Sequence, residues 1–375
     1  MKPANMMREM VVGPQPTKTS GSDRGSPDLA EDDLRRLYRF MSLTRAVDEK
    51  SWNLNRQGKI SFVASCKGHE AAQVGSAYAL RAGHDVVFTY YRDIGVALTL
   101  GMEPVDLFMS SYAKPARTNG SSRHLPWHLA DDKLRIMPVT SVVATQIPQA
   151  AGAALAAKIK GEDVVTIVYF GDGATSEGDF HEGMNWAAVH RLPLVFFCVN
   201  NGYAISIPVA RQMPVVNVVD RASAYAMEGV LIDGTDPEEV YRATARAVEK
   251  ARHGGGPTLI EAKVRRLRPH SSDDDDRRYL SAEEREALQR HDPMDAFRRR
   301  LIHGHVLDEA GLNQIDAETK AQVERAAAQA ESAPEADAST LLDHLFGHEQ
   351  EGDSASAPPH SKLDPLSLGE GSFFS

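Results

Sequence analysis

The sequence is poor in cysteine, has fewer basic than acidic residues, and contains no long apolar run. Its two cysteines, Cys66 and Cys198, are too few for a disulfide framework or a cysteine metal site. No apolar run reaches the length of a membrane helix, and the first 27 residues lack the apolar core of a secretory signal. Acidic side chains outnumber basic ones by 52 to 42, and the net charge of −10 argues against nucleic acid as the main ligand. We therefore expect an intracellular protein without nucleic-acid or membrane partners.

The sequence does contain enough apolar residues for a large core, between two polar ends. Hydrophobic residues make up 42% of the chain, which is typical of a globular enzyme. Residues 1–27 show no periodicity and predict a flexible tail, and residues 347–375 predict disorder, with Phe373-Phe374 as either a docking element or a frayed end. Segment 28–346 is then the folded domain. The mixed charges of the first tail do not form a mitochondrial presequence, which favours the cytoplasm over the mitochondrial matrix expected of a eukaryotic source.

Two β-branched and aromatic runs predict neighbouring strands of a parallel sheet. They are residues 164–170 (VVTIVYF) and 194–199 (LVFFCV). Between them Phe180, Met184 and Ala187 recur at helical spacing, so the segment is a β-α-β unit. Because such a crossover returns the chain to the same sheet, both strands end at one edge of it. The predicted fold class is α/β, a parallel sheet with helices on both faces.

Other segments predict further helices and strands. Ser26-Pro27 marks a helix start, and the apolar residues after it, Leu34 to Met41, lie on one helical face. Residues 220–264 predict an Ala-rich helix, a strand ending at Asp233, a helix over Pro237–Arg252 and a strand from Thr258. The glycines at 254–256 predict a turn, because no phosphate-loop motif follows a strand. Residues 281–346 predict a helical C-terminal extension.

The strongest functional signal is a pair of motifs at the ends of the first two strands. GDG occupies 171–173, and 26 residues separate it from the NN pair at 200–201. The glycines let backbone approach a ligand closely, whereas Asp172 and Asn201 offer the hard oxygens that magnesium prefers. With a main-chain carbonyl near Tyr203 as a third ligand, the magnesium shell keeps room for a diphosphate. The sequence therefore predicts a metal-diphosphate site.

Other interpretations of these motifs remain open. A Gly-x-Gly after a strand also begins a dinucleotide fingerprint, but Ser176 stands where the third glycine belongs and Gly178 comes two positions late. The second strand also ends in Asn-Asn, where ribose recognition needs an acid. A turn without a ligand is the third interpretation. A separate metal site at His124 and His128 is disfavoured, because Pro126 interrupts the helix that their spacing needs.

The GDG and NN motifs resemble the thiamine diphosphate motif. The chain around them resembles the alpha subunit of the decarboxylating component of 2-oxo acid dehydrogenase complexes, from about residue 34 to beyond residue 279. The shared blocks are GHEAAQVGSAYAL (68–80), TYYRDIG (89–95), ATQIPQAAGAALAAK (144–158) and PHSSDDD (269–275). The resemblance implies the thiamine diphosphate-binding fold. It also implies oxidative decarboxylation of a 2-oxo acid and transfer of the acyl group to the lipoyl arm of a partner acyltransferase.

The resemblance also implies roles for individual residues. The magnesium ligands would be Asp172, the Asn201 side chain and the Tyr203 carbonyl. The cofactor contacts would be Tyr91, Arg92, Ser141, Val143, Gly171, Asp172, Gly173, Ala174, Asn201 and His270. Arg92 has a rationale of its own, because a guanidinium matches diphosphate oxygens, although an arginine taken alone is usually a surface residue. Val143 would support the cofactor from beneath, pack in the core, or do both.

At two positions the family pattern disagrees with the residue or with the local composition of this chain. Val199 departs from the pattern, because some relatives carry an arginine there that helps to hold the diphosphate; binding would then depend more on Arg92, His270 and backbone donors. His270 lies in a segment whose composition predicts an exposed loop. The family places this histidine over the cofactor, so it is the catalytic candidate for proton handling. Ser271 occupies a position that is phosphorylated in some members.

The resemblance implies that this chain works with a second subunit. In two-chain members the glutamate that activates the cofactor belongs to the beta subunit. A chain of 375 residues has no room for the additional domains that would carry it. We therefore expect an alpha2-beta2 heterotetramer with the cofactor clamped between subunits.

One short segment bears on the choice of substrate. Residues 121–128 (SSRHLPWH) resemble the GRQMPxH segment of branched-chain 2-oxo acid dehydrogenases more than the GGSMH segment of pyruvate enzymes. Branched-chain 2-oxo acids are therefore favoured over pyruvate. Phe62 is the candidate substrate residue, and with Val63 and Trp127 it would either line an acyl pocket or pack in the core. A scaffold subunit without turnover is the rival outside the enzyme class, and the intact set of predicted site residues argues against it.

Overall fold

A five-stranded parallel sheet forms the centre of the molecule, with strand order β1-β2-β3-β7-β6. The computed structural model describes residues 29–138 and 140–340, so both predicted tails lie outside the described residues. The register pairs Gly171 at the end of β2 with Val199 near the end of β3. On the other side of β3, Asn200 pairs with Lys263 of β7. The carboxyl ends of these three strands therefore lie side by side.

The helices and strands of the described residues follow one another along the chain in this order: α1 (Glu31–Arg56), α2 (Glu70–Tyr78), β1 (Val86–Phe88), α3 (Ile94–Thr99), α4 (Pro104–Ser111), α5 (Gln146–Lys160), β2 (Thr166–Gly171), α6 (Gly178–Val189), β3 (Leu194–Asn200), β4 (Tyr203–Ala204), β5 (Ile207–Pro208), β6 (Glu228–Asp233), α7 (Pro237–Arg252), β7 (Thr258–Lys263), α8 (Ala282–Gln289), α9 (Pro293–His303) and α10 (Glu309–Glu331). β4 and β5 form a separate antiparallel pair. Short 3₁₀ helices connect several of these elements, among them Asp172–Ser176 directly after β2.

Both faces of the sheet are buried at β2 and β3, which explains why these strands read as continuous apolar runs, whereas most of the edge strand β6 is exposed. In β3, Phe197 and Val199 pack into one core with α7, while Phe196 and Cys198 pack into a second core with α5 and α6. Successive side chains of a strand point to opposite faces, so a strand covered on both sides needs apolar residues at every position. The predicted parallel sheet with helices on both faces is confirmed.

Most of the predicted elements are present. The β-α-β unit is β2-α6-β3, and α7 begins where Pro237 follows Asp236, whose carboxylate accepts the N–H groups of Glu238 and Glu239. The predicted Ala-rich helix near residue 220 is a 3₁₀ helix, Val218–Tyr225. The predicted C-terminal helices are α8, α9 and α10. None of the described helices is long and apolar enough to cross a membrane.

The first helix and the last helices form a third core beside the sheet. Leu37, Tyr38 and Met41 of α1 are fully buried there, and they pack with α9 residues such as Phe297. The apolar face predicted for this helix is thus correct, although the predicted start at Ser26-Pro27 lies outside the described residues. The chain divides into two compact units, residues 1–335 and 336–375, and the structure describes only residues 336–340 of the second.

Candidate functional site

Asp172 lies at the carboxyl end of β2, in the first turn of a 3₁₀ helix. Its side chain is buried, with 2% exposed, and its Oδ2 accepts a hydrogen bond from Gln212 Nε2 at 3.0 Å. Burial raises the pKa of Asp172, while the bonds from Gln212 and from the backbone N–H of Asn201 act in the opposite direction. A buried carboxylate without an ion pair is stabilised by a cation. This position therefore suits a metal ligand.

The two asparagines at the end of β3 have different surroundings. Asn200 is buried and donates from Nδ2 to Glu261 Oε1 at 2.7 Å, while its own oxygen accepts the Gly202 N–H. Asn201 is half-buried, and its Oδ1 accepts only the Tyr203 N–H, at 3.1 Å, among the bonds of the described chain. Asn200 therefore ties two strands together, and Asn201 keeps an oxygen lone pair for a ligand.

The second glycine of the GDG motif is required by close packing. A Cβ atom at Gly173 would lie 2.8 Å from the Cβ of Ala204 in β4, which is too close for any larger residue without a shift. Gly202, between Asn201 and Tyr203, has a φ of +89°, a region that favours glycine. The backbone from Gly202 to Ala204 thus folds back over the 3₁₀ helix. Tyr203 and Asp172 are brought to the same strand ends by this fold.

Arg92 and His270 form the other side of the site. Arg92 is almost fully buried, with 1% exposed, so the interpretation as a surface arginine is wrong. Its Nη1 donates to the carbonyl oxygens of Ser65 at 2.5 Å and of His270 at 3.0 Å. Its Nη2 lies 3.2 Å from Nδ1 of His270, and the edge of the Tyr91 ring faces the imidazole with 6.1 Å between centroids. Predicted residues from two distant blocks are thus in contact.

This contact determines the state of His270. Burial, together with the nearby charges of Arg92 and Arg266, lowers the pKa of His270 to about 3, while Asp274 acts in the opposite direction. The ring is therefore neutral near pH 7. Because Arg92 can only donate, Nδ1 is the acceptor and the neutral ring carries its proton on Nε2. His270 presents a proton donor at Nε2.

The loop that carries His270 is more enclosed than its composition predicts. Ser271 is buried, with 6% exposed. Ser272 exchanges two hydrogen bonds with Val63, since its N–H donates to the Val63 carbonyl at 2.8 Å and its Oγ accepts the Val63 N–H at 3.2 Å. Asp274 accepts the backbone N–H of His270 at 2.8 Å. The expectation of an exposed loop is therefore wrong for these residues, because their polar groups are paired within the fold.

The remaining predicted residues divide into two groups. Val143 is 46% exposed, so it does not pack in the core, and Ser141 is exposed with its Oγ 2.6 Å from His128 Nε2. Phe62 is half-buried. By contrast, Val63 and Trp127 belong to the main core, where the indole Nε1 donates to Ser111 Oγ. The core alternative thus holds for these last two residues.

His124 and His128 are bound to the chain around them. His128 Nδ1 lies 3.1 Å from the Pro126 carbonyl, and His124 Nδ1 lies 3.1 Å from the His128 carbonyl. A carbonyl accepts, so each Nδ1 carries a proton in this arrangement. In its neutral form His128 then accepts from Ser141 through Nε2, and it orients a predicted cofactor residue.

Three polar residues at the site escaped the sequence-based prediction. Arg266, His69 and Tyr90 are all buried, and each has side-chain atoms without a hydrogen-bond partner in the described chain: Nη1 of Arg266, both ring nitrogens of His69 and the hydroxyl of Tyr90. Arg266 follows β7, the strand beside β3, so the strand order was the signal that could have located it. His69 and Tyr90 lie within the shared blocks 68–80 and 89–95, and this resemblance was the signal that could have located them.

These features fit a metal-bound diphosphate. Asp172, Asn201 and the Tyr203 carbonyl offer the oxygen donors that magnesium takes. Buried donors without partners need an acceptor, and Arg266 Nη1 is such a donor close enough for its charge to affect Asp172. Val199, in turn, is fully buried in the apolar core and contributes no charge to the site.

Comparisons with known proteins agree over most of the chain. The family described as "Dehydrogenase E1 component" matches residues 38–339. The chain is similar to 2-oxoisovalerate dehydrogenase subunit alpha of Bacillus subtilis (strain 168), with 47% identity over 319 residues that cover 85% of this chain and 96% of that protein. It is also similar to 3-methyl-2-oxobutanoate dehydrogenase subunit alpha of Mycobacterium tuberculosis, with 40% identity covering 83% of this chain and 81% of the relative. Identity to the pyruvate dehydrogenase E1 component subunit alpha of Bacillus cereus is 34%, covering 87% of this chain and 85% of that protein.

Proposed function

The chain belongs to the dehydrogenase E1 component family, and from that premise we propose that it is the alpha subunit of a branched-chain 2-oxo acid dehydrogenase. The reaction is the oxidative decarboxylation of 3-methyl-2-oxobutanoate or a close relative, with transfer of the acyl group to a lipoyl arm. The choice of substrate is supported by the 47% identity to a relative named for 2-oxoisovalerate, which the alignment covers over 96% of that relative's length. The relative named for pyruvate is less similar, at 34% identity.

Family membership implies thiamine diphosphate as the cofactor, and magnesium is part of the proposal. Bound here, the cofactor would supply the electron sink for loss of carbon dioxide. Asp172, the Asn201 side chain and the Tyr203 carbonyl would hold the magnesium ion that the diphosphate shares. The backbone of Gly171, Gly173 and Ala174 would face the phosphates, and this is supported by the tight turn that Gly173 makes against β4.

His270 is proposed as the residue that handles protons at the reacting centre. Its neutral ring, with the proton on Nε2, can donate a hydrogen bond to a group that gains negative charge. Arg92 holds the ring from the opposite side through Nδ1. Tyr91 packs against the same ring, and Val143, being exposed, is free to support the cofactor. Phe62 remains the proposed substrate residue.

A second subunit completes the proposal. The relatives are named as alpha subunits, which implies a beta subunit partner. We propose an alpha2-beta2 heterotetramer that delivers the acyl group to a lipoyl-bearing acyltransferase, in the cytoplasm or, in a eukaryote, the mitochondrial matrix. The beta subunit would supply the glutamate that activates the cofactor. The limits of the folded domain at residues 28 and 346 also remain a prediction.

The test is turnover by the assembled enzyme. The chain is co-expressed with its beta subunit, supplied with thiamine diphosphate and magnesium, and given 3-methyl-2-oxobutanoate or pyruvate at equal concentrations. We expect faster release of carbon dioxide from the branched substrate, because a hydrophobic pocket discriminates by about 10- to 200-fold per methylene and the branched substrate has two more carbon atoms than pyruvate. Turnover of pyruvate alone would assign the other substrate, and no turnover of any 2-oxo acid would favour a scaffold subunit.

A further inference from the structure

Within the described residues Arg266, like Arg92, is a buried arginine that hydrogen-bonds to no carboxylate. Arg252, for comparison, is paired with Asp85 at 2.9 Å, and both side chains are buried. Arg45 likewise is paired with Glu70 at 2.5 Å and with Asp292 at 2.8 Å. Arg266 is equally buried, with 7% exposed, yet in the part of the chain that the structure describes its hydrogen bonds go to neutral oxygens only. A buried guanidinium without an anion is costly, so this position indicates an external one.

The Arg266 side chain is held in place by one of its two terminal nitrogens. Nη2 donates to the Ile205 carbonyl and to the Tyr279 hydroxyl, each at 2.8 Å. The guanidinium also lies 6.0 Å from the ring centroids of both Tyr203 and Tyr279. Nη1, in contrast, is buried and has no partner in the described chain. The group is thus fixed by Nη2, and Nη1 retains its donor capacity for a ligand.

Its place in the fold relates this free donor to the proposed diphosphate site. Val264, two residues earlier, donates its N–H to the Asn200 carbonyl at 2.9 Å, so Arg266 emerges beside the Asn pair at the edge where Asp172 also lies. The Arg266 guanidinium packs over Tyr203, the proposed source of a magnesium-binding carbonyl. Arg92 is the other buried arginine here without a carboxylate partner, and its charge lowers the pKa of both Arg266 and His270. Asp172 and Asp274 lie close enough to raise the pKa of Arg266, but neither is hydrogen-bonded to it. Two buried guanidinium groups that bind no carboxylate at one site suit the charge of a diphosphate.

We propose that Arg266 is a diphosphate-binding residue, whose Nη1 donates to a phosphate oxygen of the cofactor and supplies the charge that Val199 cannot. This inference rests on the proposed function for the identity of the cofactor. It assigns Arg266 a binding role, with Tyr279 and the Ile205 carbonyl as the groups that orient it. Because the site recognises the phosphates, the same arginine also binds magnesium pyrophosphate without the rest of the cofactor.

The experiment uses the apo alpha2-beta2 assembly and measures dissociation constants by titration calorimetry. The probes are thiamine diphosphate and inorganic pyrophosphate, each with saturating magnesium. Arg266→Met is expected to weaken both probes by about 10- to 100-fold, the range for a hydrogen bond to a charged group. Arg266→Lys keeps the charge without the fork and is expected to weaken both by less. Arg265→Met changes the exposed neighbouring arginine and is expected to leave both constants within about twofold of the wild type.

Tyr279→Phe separates binding by Arg266 from an effect on the loop. It removes the hydroxyl that accepts from Arg266 and that donates to Asp274 at 2.5 Å, but it leaves the guanidinium in the chain. We expect it to weaken pyrophosphate by less than a third of the factor seen in Arg266→Met. Equal weakening in the two variants, or unchanged pyrophosphate binding in Arg266→Met, would overturn the proposal; the unchanged case would mean that Nη1 is satisfied otherwise, for example by His69.

Two controls are needed: one for the folding of the Arg266 variants, and one that separates this inference from the proposed function. Thermal unfolding of the cofactor-free assembly shows whether Arg266→Met is folded; if it is not, the Arg266→Lys constants decide, and wild-type affinity for pyrophosphate in that variant would overturn the proposal. If the wild-type assembly turns over a 2-oxo acid but Arg266→Met binds pyrophosphate normally, this inference alone is refuted. If the wild-type assembly binds pyrophosphate through Arg266 but releases no carbon dioxide from any 2-oxo acid, the proposed function alone is refuted.

Discussion

The two sides of the candidate site are built from chain segments at very different separations. On the strand-end side, Asp172 and Asn201 follow adjacent strands of a single β-α-β unit, with 26 residues between their motifs. On the loop side, Arg92 touches His270 across 178 residues of sequence. The strand-end side therefore depends on local topology, whereas the loop side depends on contacts among segments that follow β1, α1 and β7. A fixed spacing can encode the first kind of site but not the second.

The two sides also differ in charge. The strand-end side carries a buried carboxylate, Asp172, whose pKa is raised by burial. The loop side carries the guanidinium groups of Arg92 and Arg266, and burial together with these charges lowers the pKa of His270 and keeps its ring neutral. A cation on the first side and an anion on the second would satisfy both. A magnesium ion bound to a diphosphate provides this pair of charges within one ligand.

The largest expected effect comes from breaking the strand-end side. Asp172→Ala removes the only carboxylate among the three proposed magnesium ligands, so we expect loss of cofactor affinity by more than about 100-fold, beyond what a supporting contact contributes. The measurement is retention of thiamine diphosphate by the assembly after gel filtration. Glu182→Ala, on the exposed face of α6, is the control and should retain the cofactor. Tight retention by Asp172→Ala would refute the metal assignment.

A smaller effect is expected from breaking the loop side at Arg92. Arg92→Met removes the donors that hold His270, and we expect kcat to fall by about 10- to 100-fold. The Arg92 charge lowers the pKa of His270, so removing the charge moves that pKa upward from about 3. Activity that needs the neutral ring is then lost at a higher pH as the solution is acidified.

The readout for Arg92 is the pH profile of kcat/KM from about pH 3 to 8, a range that includes the pKa of about 3 of His270 in the wild type. We expect the acid limb of Arg92→Met to lie at higher pH than that of the wild type. Arg268→Met is the matched control, because Arg268 stacks over Trp52 and contacts Asp48 instead of the imidazole. An acid limb that stays in place in Arg92→Met would show that His270 does not set the pH dependence.

The smallest effects test whether the two asparagines of the NN motif, on the strand-end side, have different roles. Asn200 is bonded to the buried Glu261, so Asn200→Ala should lower the free energy of unfolding by about 1–3 kcal/mol and leave cofactor affinity within about twofold. Asn201→Ala should do the reverse, with weaker magnesium-dependent binding and little change in stability. Melting temperature and cofactor titration of the assembly measure the two effects. Equal loss of affinity in both variants would contradict the division of roles between the asparagines.

The comparison also explains which parts of the site could be predicted from sequence. The residue patterns of β2, α6 and β3 indicated the strands, the crossover and the glycine turn, because neighbours along the chain determine those features. The resemblance to a family then supplied Arg92 and His270. Arg266 was not predicted, since only the strand order places β7 beside β3 and thereby beside Asp172. The burial of Ser271 was missed because composition alone does not show that Val63 pairs with the following residue.

The sequence by itself determined the α/β fold class and the glycine-flanked carboxylate at a strand end. These follow from short-range periodicity and from residue chemistry, which act over a few positions of the chain. Only the tertiary structure decided the tautomer and charge state of His270, the burial of Arg92 and the separate roles of Asn200 and Asn201. Each of those depends on which distant group lies within hydrogen-bonding distance and on how much water is excluded, and spacing along the chain specifies neither quantity.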